Sequence, residues 1–231
     1  MTAAGTPLVI AHRGASAYEL ENSLAAFHAA VRLRADGIEL DVHASTDGCL
    51  FVHHDETVPP NFRIASLAAG SVRSLRLAND EPIPTLTDAL QAAGPLAVYV
   101  EVKALDPRHD ASLLATLDAG PNPRGYAVHS FDHRIIQRLG RIRPGLSRGV
   151  LSASYPLHPE EQLTDTGADA LWQERSLVDR DLVDLMHRTN RRVIVWTVDR
   201  PDEMRWLARL GADAVCTNVP DVARRALDSR S

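Results

Sequence analysis

What most constrains this chain is a regular alternation of short apolar runs with amphipathic helical stretches. Residues 8–11 form the first run, long enough for one buried strand. A helix follows, with Asn22 or Ser23 as its N-cap and Leu24, Phe27, Ala30 and Val31 at helical spacing. Residues 37–42 predict the next strand, and Thr46-Asp47-Gly48 a turn from which residues 50–52 pair back as a hairpin. Residues 56–84 break the rhythm with Pro59, Pro60, Pro82 and Pro84, and hold one short helix near Leu67. A new helix starts near Thr85, with Leu86, Ala89 and Leu90 on its apolar face. Beyond it, strands are expected over 97–102, 126–129, 148–151, 170–171, 193–198 and 214–216. The intervening helices fall at 111–117, 133–139, 160–163, 180–188, 202–210 and 219–227.

Apolar strands separated by helices imply a parallel sheet, because parallel strands need crossover connections. About eight strand–helix units in 231 residues point to an α/β chain folded as a single (β/α)8 barrel, a TIM barrel. The expected organisation is one domain over 1–231, with a short insertion after the second strand at about 56–84. An open doubly wound sheet is the alternative, weakened by the lack of a glycine-rich loop after the first strand. With 45% hydrophobic and 24% charged residues the chain is neither disordered nor fibrous. No run of about 18 apolar residues exists, so no stable membrane insertion is expected. Residues 1–7 lack the basic and apolar regions of a signal peptide, so a cytoplasmic location is expected. Cys49 and Cys216 lie far apart, without metal-type spacing, and read as reduced thiols. A net charge of -5 argues against nucleic acid as a partner.

In such a barrel the chemistry sits at the C-terminal ends of the strands. The first strand ends in His12-Arg13-Gly14, the second carries Glu39 and Asp41, and the third carries Glu101 and Lys103. Residues two apart on a strand share a face, so Glu39 pairs with Asp41, and Glu101 with Lys103. Three carboxylates at one mouth repel unless a cation lies among them. An all-oxygen set suits one hard divalent cation, Mg²⁺ or Ca²⁺. His12 ends an apolar strand before Gly14, which permits a sharp turn. His53 and His54 follow the run at 50–52, and only one of them can face the mouth. Imidazole is matched to proton transfer near neutral pH. The guanidinium of Arg13 suits a phosphate oxyanion, or else pairs with Glu19 or Glu21, and Lys103 adds a second positive charge. Together these groups make a site for phosphoryl transfer. His28, His109, His133, His158 and His187 receive no role.

The same residues carry a family resemblance. His12-Arg13-Gly14, Glu21-Asn22-Ser23, Glu39-Leu40-Asp41 and His54-Asp55 resemble, in order, the motifs that open the glycerophosphodiester phosphodiesterase family. Later segments, IPTLTDAL, VYVEVK, VHSFD, VIVWTVD and GADAVCTNVPD, resemble its later landmarks, so the likeness spans essentially the whole chain. The resemblance implies metal-dependent hydrolysis of a small glycerophosphodiester to glycerol 3-phosphate and an alcohol. It implies that Glu39, Asp41 and Glu101 bind the metal and that His12 and His54 are the acid–base pair. Arg13 and Lys103 would hold the phosphate, Glu21 would orient Arg13 or the metal shell, and Trp196 would line the glycerol end. Two departures stand out. Ser23 replaces the usual threonine, and the loop Glu56-Thr57-Val58-Pro59-Pro60-Asn61-Phe62 differs from the family's pattern beside the site.

Two other functions fit parts of the pattern. A lysophospholipase-D-like enzyme would need apolar or aromatic surface near the mouth. A non-catalytic glycerophosphate binder would bind without turnover, against which the intact His12 and His54 speak.

Overall fold

The computed structural model describes residues 5–59 and 61–228, so Pro60 and part of the leader reading at residues 1–7 lie outside it. The chain opens with β1 (Leu8–His12), α1 (Leu24–Arg32) and β2 (Gly37–Ala44). β3 (Leu50–Val52) pairs back on β2, the excursion holds β4 (Thr57–Val58), β5 (Phe62–Arg63) and α2 (Ala69–Arg73), and α3 (Leu86–Ala93) follows it. Regular units follow: β6 (Ala97–Ala104), α4 (Asp110–Ala119), β7 (Tyr126–Ser130), α5 (His133–Ile142), β8 (Ser147–Ser152) and α6 (Pro159–Thr166). The last are β9 (Ala170–Glu174), α7 (Arg180–Arg188), β10 (Arg192–Trp196), α8 (Pro201–Leu210), β11 (Ala214–Thr217) and α9 (Pro220–Asp228).

Eight of these strands are parallel, in the order β1-β11-β10-β9-β8-β7-β6-β2, and pairing of β1 with β2 closes them into a TIM barrel. Closure removes the open-sheet alternative. Side chains alternate between two layers, as a strand's period of two requires. Val9, Ala11, Ile38, Leu40, Val98, Val100 and Val215 pack with the helices. Ile10, Tyr99, Leu151, Trp172, Ile194 and Cys216 form a separate inner cluster. No helix among the described residues is long and apolar enough to cross a membrane.

Local chemistry fixes the turns around the mouth. Ser23, not Asn22, caps α1, its side chain accepting from the Ala26 amide. Gly14 has φ +83°, and a Cβ there would lie 2.7 Å from Ala26, so only glycine fits the turn out of β1. Thr85 and Asp88 form a capping box on α3.

The excursion is more ordered than the sequence indicates. The expected short helix is α2, but β4 and β5 also form an antiparallel ladder. Arg63 reaches back to Glu56 at 2.7 Å, and the Ile64 amide donates to the Glu56 carbonyl. Phe51, on the face of β3 turned from the main core, joins Val58, Ile64, Val72 and Ile83 in a small core of their own.

Candidate active site

The inward positions that carry hydrophobic side chains deep in the barrel carry polar ones at the C-terminal ends of its strands. Ladder pairs bring His12 beside Glu39, Asp41 beside Glu101, and Glu101 beside His129. A cavity of about 170 Å³ opens there, lined by His12, Arg13, Glu39, His54, Glu101, Lys103, His129, Trp172 and Trp196 among others. A larger cleft of about 830 Å³ lies at the other end of the barrel, between residues such as Arg180, Asp184 and Asp213. None of the expected site residues reaches it.

Arg13 is held on three sides. Its backbone N–H donates to Glu39 Oε2 at 3.0 Å, its Nη1 donates to Glu21 at 2.9 Å, and its Nε lies 3.2 Å from Asp41 Oδ2. Lys103 Nζ bridges Asp41 Oδ1 at 2.9 Å and Glu101 Oε1 at 2.7 Å. Asn22, in the left-handed region at φ +56°, donates to Asp41 Oδ2 at 2.8 Å.

The three carboxylates therefore differ. Burial alone would raise the Asp41 pKa, but Lys103 and Arg13 outweigh it and hold Asp41 below the usual range. Burial, then the charges of Asp41 and Glu101, push Glu39 well above its ordinary value. Burial and Asp41 raise Glu101 to about 7 despite Lys103. Two buried carboxyls that resist ionisation want a compensating cation.

Asp41, expected among the cation ligands, has both oxygens engaged by Arg13, Asn22 and Lys103. Among the described residues, the group whose ligand atoms lie within 4.8 Å of one another is Glu39, Glu101 and His129. His129 is 1% exposed and stacks on Trp172 with ring centres 4.1 Å apart. Burial drives its pKa down to about 3, so the ring is neutral and offers a lone pair. Its Nε2 lies 3.8 Å from Glu39 Oε1, and its Nδ1 is buried without a hydrogen-bond partner. Two carboxylates and one imidazole fit a divalent cation, with a nitrogen donor that the all-oxygen expectation lacked.

The two expected acid–base histidines line the same cavity. His12 Nδ1 lies 2.7 Å from Asn218 Oδ1, and burial lowers its pKa below the ordinary imidazole value. His54 is more exposed, its Nδ1 2.8 Å from Asp55 Oδ1. Of the adjacent pair, His54 lines the cavity and His53 does not, and both line a neighbouring groove with Glu21 and Arg76. Trp196 lines the wall, with Phe131 edge-on at 5.6 Å. Sequence reasoning passed over His129 and Trp172. Their one available signal was parity: His129 is two residues beyond Ala127, an inward position.

A family model described as the glycerophosphoryl diester phosphodiesterase family matches residues 12–222. A glycerophosphodiester phosphodiesterase of Caldanaerobacter subterraneus is 31% identical, with 93% of this chain and 95% of that protein covered. Among solved structures, an Oleispira antarctica phosphodiesterase in complex with the product sn-glycerol-3-phosphate superposes with a TM-score of 0.90 at 24% identity. That match covers 97% of this chain and 98% of the other. A Thermotoga maritima glycerophosphodiester phosphodiesterase gives 0.81 at 23% identity, over 96% and 98%.

Proposed function

The chain belongs to the glycerophosphoryl diester phosphodiesterase family, and from that premise we propose that it hydrolyses glycerophosphodiesters to glycerol 3-phosphate and an alcohol with a divalent cation. The observation that carries this reading is one cavity holding Glu39, Glu101 and His129 beside two cationic side chains, with a histidine on either hand.

Glu39, Glu101 and His129 would hold the cation, with Asp41 behind them fixing Arg13 and Lys103. When bound, the cation neutralises charge on the phosphate and lowers the barrier to its substitution. The nitrogen donor tilts the preference from Ca²⁺ and Mg²⁺ toward Mn²⁺, Co²⁺ or Zn²⁺. Arg13 and Lys103 point positive charge at the phosphate oxygens. His12, neutral because it is buried, takes the proton of the attacking hydroxyl on Nε2. His54, at the open side, gives a proton to the departing alcohol oxygen as the phosphorus–oxygen bond breaks.

Chelation followed by metal add-back tests the reading on a panel of glycerophosphodiesters, and full activity after chelation would refute it. Glu39→Ala and Glu101→Ala are expected to abolish metal-dependent turnover. His12→Ala and His54→Ala should each cost about 10²–10⁴ in kcat. Wild-type kcat in both would overturn the acid–base assignment.

A second reading, lysolipid hydrolysis, is favoured by the apolar rim. Phe131, Tyr155 and Leu157 are 48%, 43% and 93% exposed, on loops that follow β7 and β8 at the mouth. A higher kcat/KM for lysophosphatidylcholine than for glycerophosphocholine, reduced by Leu157→Asp on the lysolipid alone, would establish it.

A further inference from the structure

We propose that Asp199 is a positioning residue of this site: through Asn218 it fixes which ring nitrogen of His12 carries the proton. The inference rests on the reading of His12 as the base and adds what makes it one.

Asp199 follows β10, Asn218 follows β11 and His12 ends β1, three neighbours in the barrel wall. The Asp199 carboxylate is fixed by the Asn218 backbone N–H, which donates to Oδ1 at 2.8 Å, and by the Thr217 hydroxyl, which donates to it at 3.0 Å. Its other oxygen accepts from Asn218 Nδ2 at 2.6 Å. A carboxylate only accepts, so the amide group facing it must be the NH₂. Asn218 Oδ1 is thereby turned the other way, to His12 Nδ1 at 2.7 Å. A carbonyl oxygen also only accepts, so His12 Nδ1 must carry the hydrogen. Nε2 is left with a lone pair, the requirement for a base.

Nothing else in contact with the Asn218 side chain makes this choice. Ser16 Oγ lies 2.7 Å from Asn218 Oδ1 and 2.8 Å from the His12 carbonyl. Ser16 has one hydrogen for these two acceptors, and a reversed amide could donate to its Oγ while it donates to the His12 carbonyl, so Ser16 does not favour the observed orientation. The Asp199 carboxylate is the group that does. If the amide turned over, its NH₂ would meet Nδ1, the ring proton would move to Nε2, and the lone pair that takes the substrate's proton would be gone.

Polarity of the chain, rather than its shape, is what the test must isolate. Ring ¹⁵N resonances of His12 in the full-length protein report the tautomer without reference to turnover. In Asp199→Asn the side chain at 199 no longer only accepts, Asn218 can turn its NH₂ to Nδ1, and His12 should gain the Nε2–H tautomer. Turnover of glycerophosphocholine should fall about 10- to 100-fold in kcat with little change in KM, less than the roughly 10⁴ seen where a catalytic histidine is held in the wrong tautomer. The double variant Asp199→Asn/Asn218→Asp restores the polarity, because the new amide at 199 donates to a carboxylate at 218 that accepts from Nδ1. It should recover the Nδ1–H tautomer and kcat to within a few-fold of wild type. An unchanged tautomer in Asp199→Asn overturns the proposal, whether or not kcat falls. Failure of the double variant to restore the tautomer overturns it too. A shifted tautomer with unchanged kcat upholds the role of Asp199 and removes His12 as the base.

Discussion

Burial sets the protonation states at the mouth, and the cation reading has consequences there. The folded chain raises the Glu101 carboxyl to about 7, against roughly 4.3 for a free glutamate. A cation must displace that proton, so its affinity should rise as pH passes through about 7, with protons released on binding. Without a cation the shift acts on stability in the opposite sense. The contribution is full below about pH 4.3 and is lost as pH rises through about 7. Titration calorimetry of Mn²⁺ in buffers of different ionisation enthalpy counts the protons, and an affinity flat between about pH 6 and 8 would contradict the assignment. The same titration on His129→Gln should weaken Mn²⁺ or Zn²⁺ more than Ca²⁺. Several of these residues are legible in the sequence because charges are conspicuous inside apolar strands. Glu39, Asp41, Glu101 and Lys103 stand out in that way, and His12 ends such a strand. His129 does not, since a single imidazole in a strand usually means an ordinary core position. The pairing of β6 with β7 brings it to Glu101, and pairing is a property of the sheet.

At the scale of the element, β8 meets two unusual demands. Arg148 is buried, and its guanidinium donates to the carbonyls of Arg143, Pro144, Leu146 and Gly167, tying the turn before β8 to the end of α6. Gly149, its neighbour on the opposite face, leaves room for the Trp172 ring, because a Cβ there would lie 2.6 Å from Cδ1. Gly149→Ala is therefore expected to push Trp172 off His129 and cost about 1–3 kcal/mol. Urea unfolding followed by tryptophan fluorescence reads both effects, and a variant with wild-type midpoint and spectrum would show that the ring yields freely. The regular units were legible because strand and helix periods persist over several residues. The ladder of β4 and β5 was not, because two-residue strands beside a proline-rich turn carry no period.

For the molecule as a whole, net charge is a poor guide and local charge a good one. The chain is acidic at -5, yet Arg13 and Lys103 bring positive charge to the cavity at the mouth, where the proposal places the phosphate. If the cation is bound by the native state alone, it must stabilise the entire fold. At 100 times its Kd the gain is about 2.7 kcal/mol. For a chain of this length that raises Tm by about 5–11 °C. Scanning calorimetry with and without Mn²⁺ should show the rise in the wild type and none in Glu39→Ala, and an equal rise in both would place the ion elsewhere.

The contact between His12 and Asn218 spans 206 positions of sequence. His12 leaves the ribosome long before Asn218 does, so their contact is made only once β11 has been synthesised and has paired with β1. On the assignments proposed above, a chain stopped before β11 would lack the amide that orients His12. Turnover would then be tied to completion of the barrel wall, whose long-range strand pairing forms slowly.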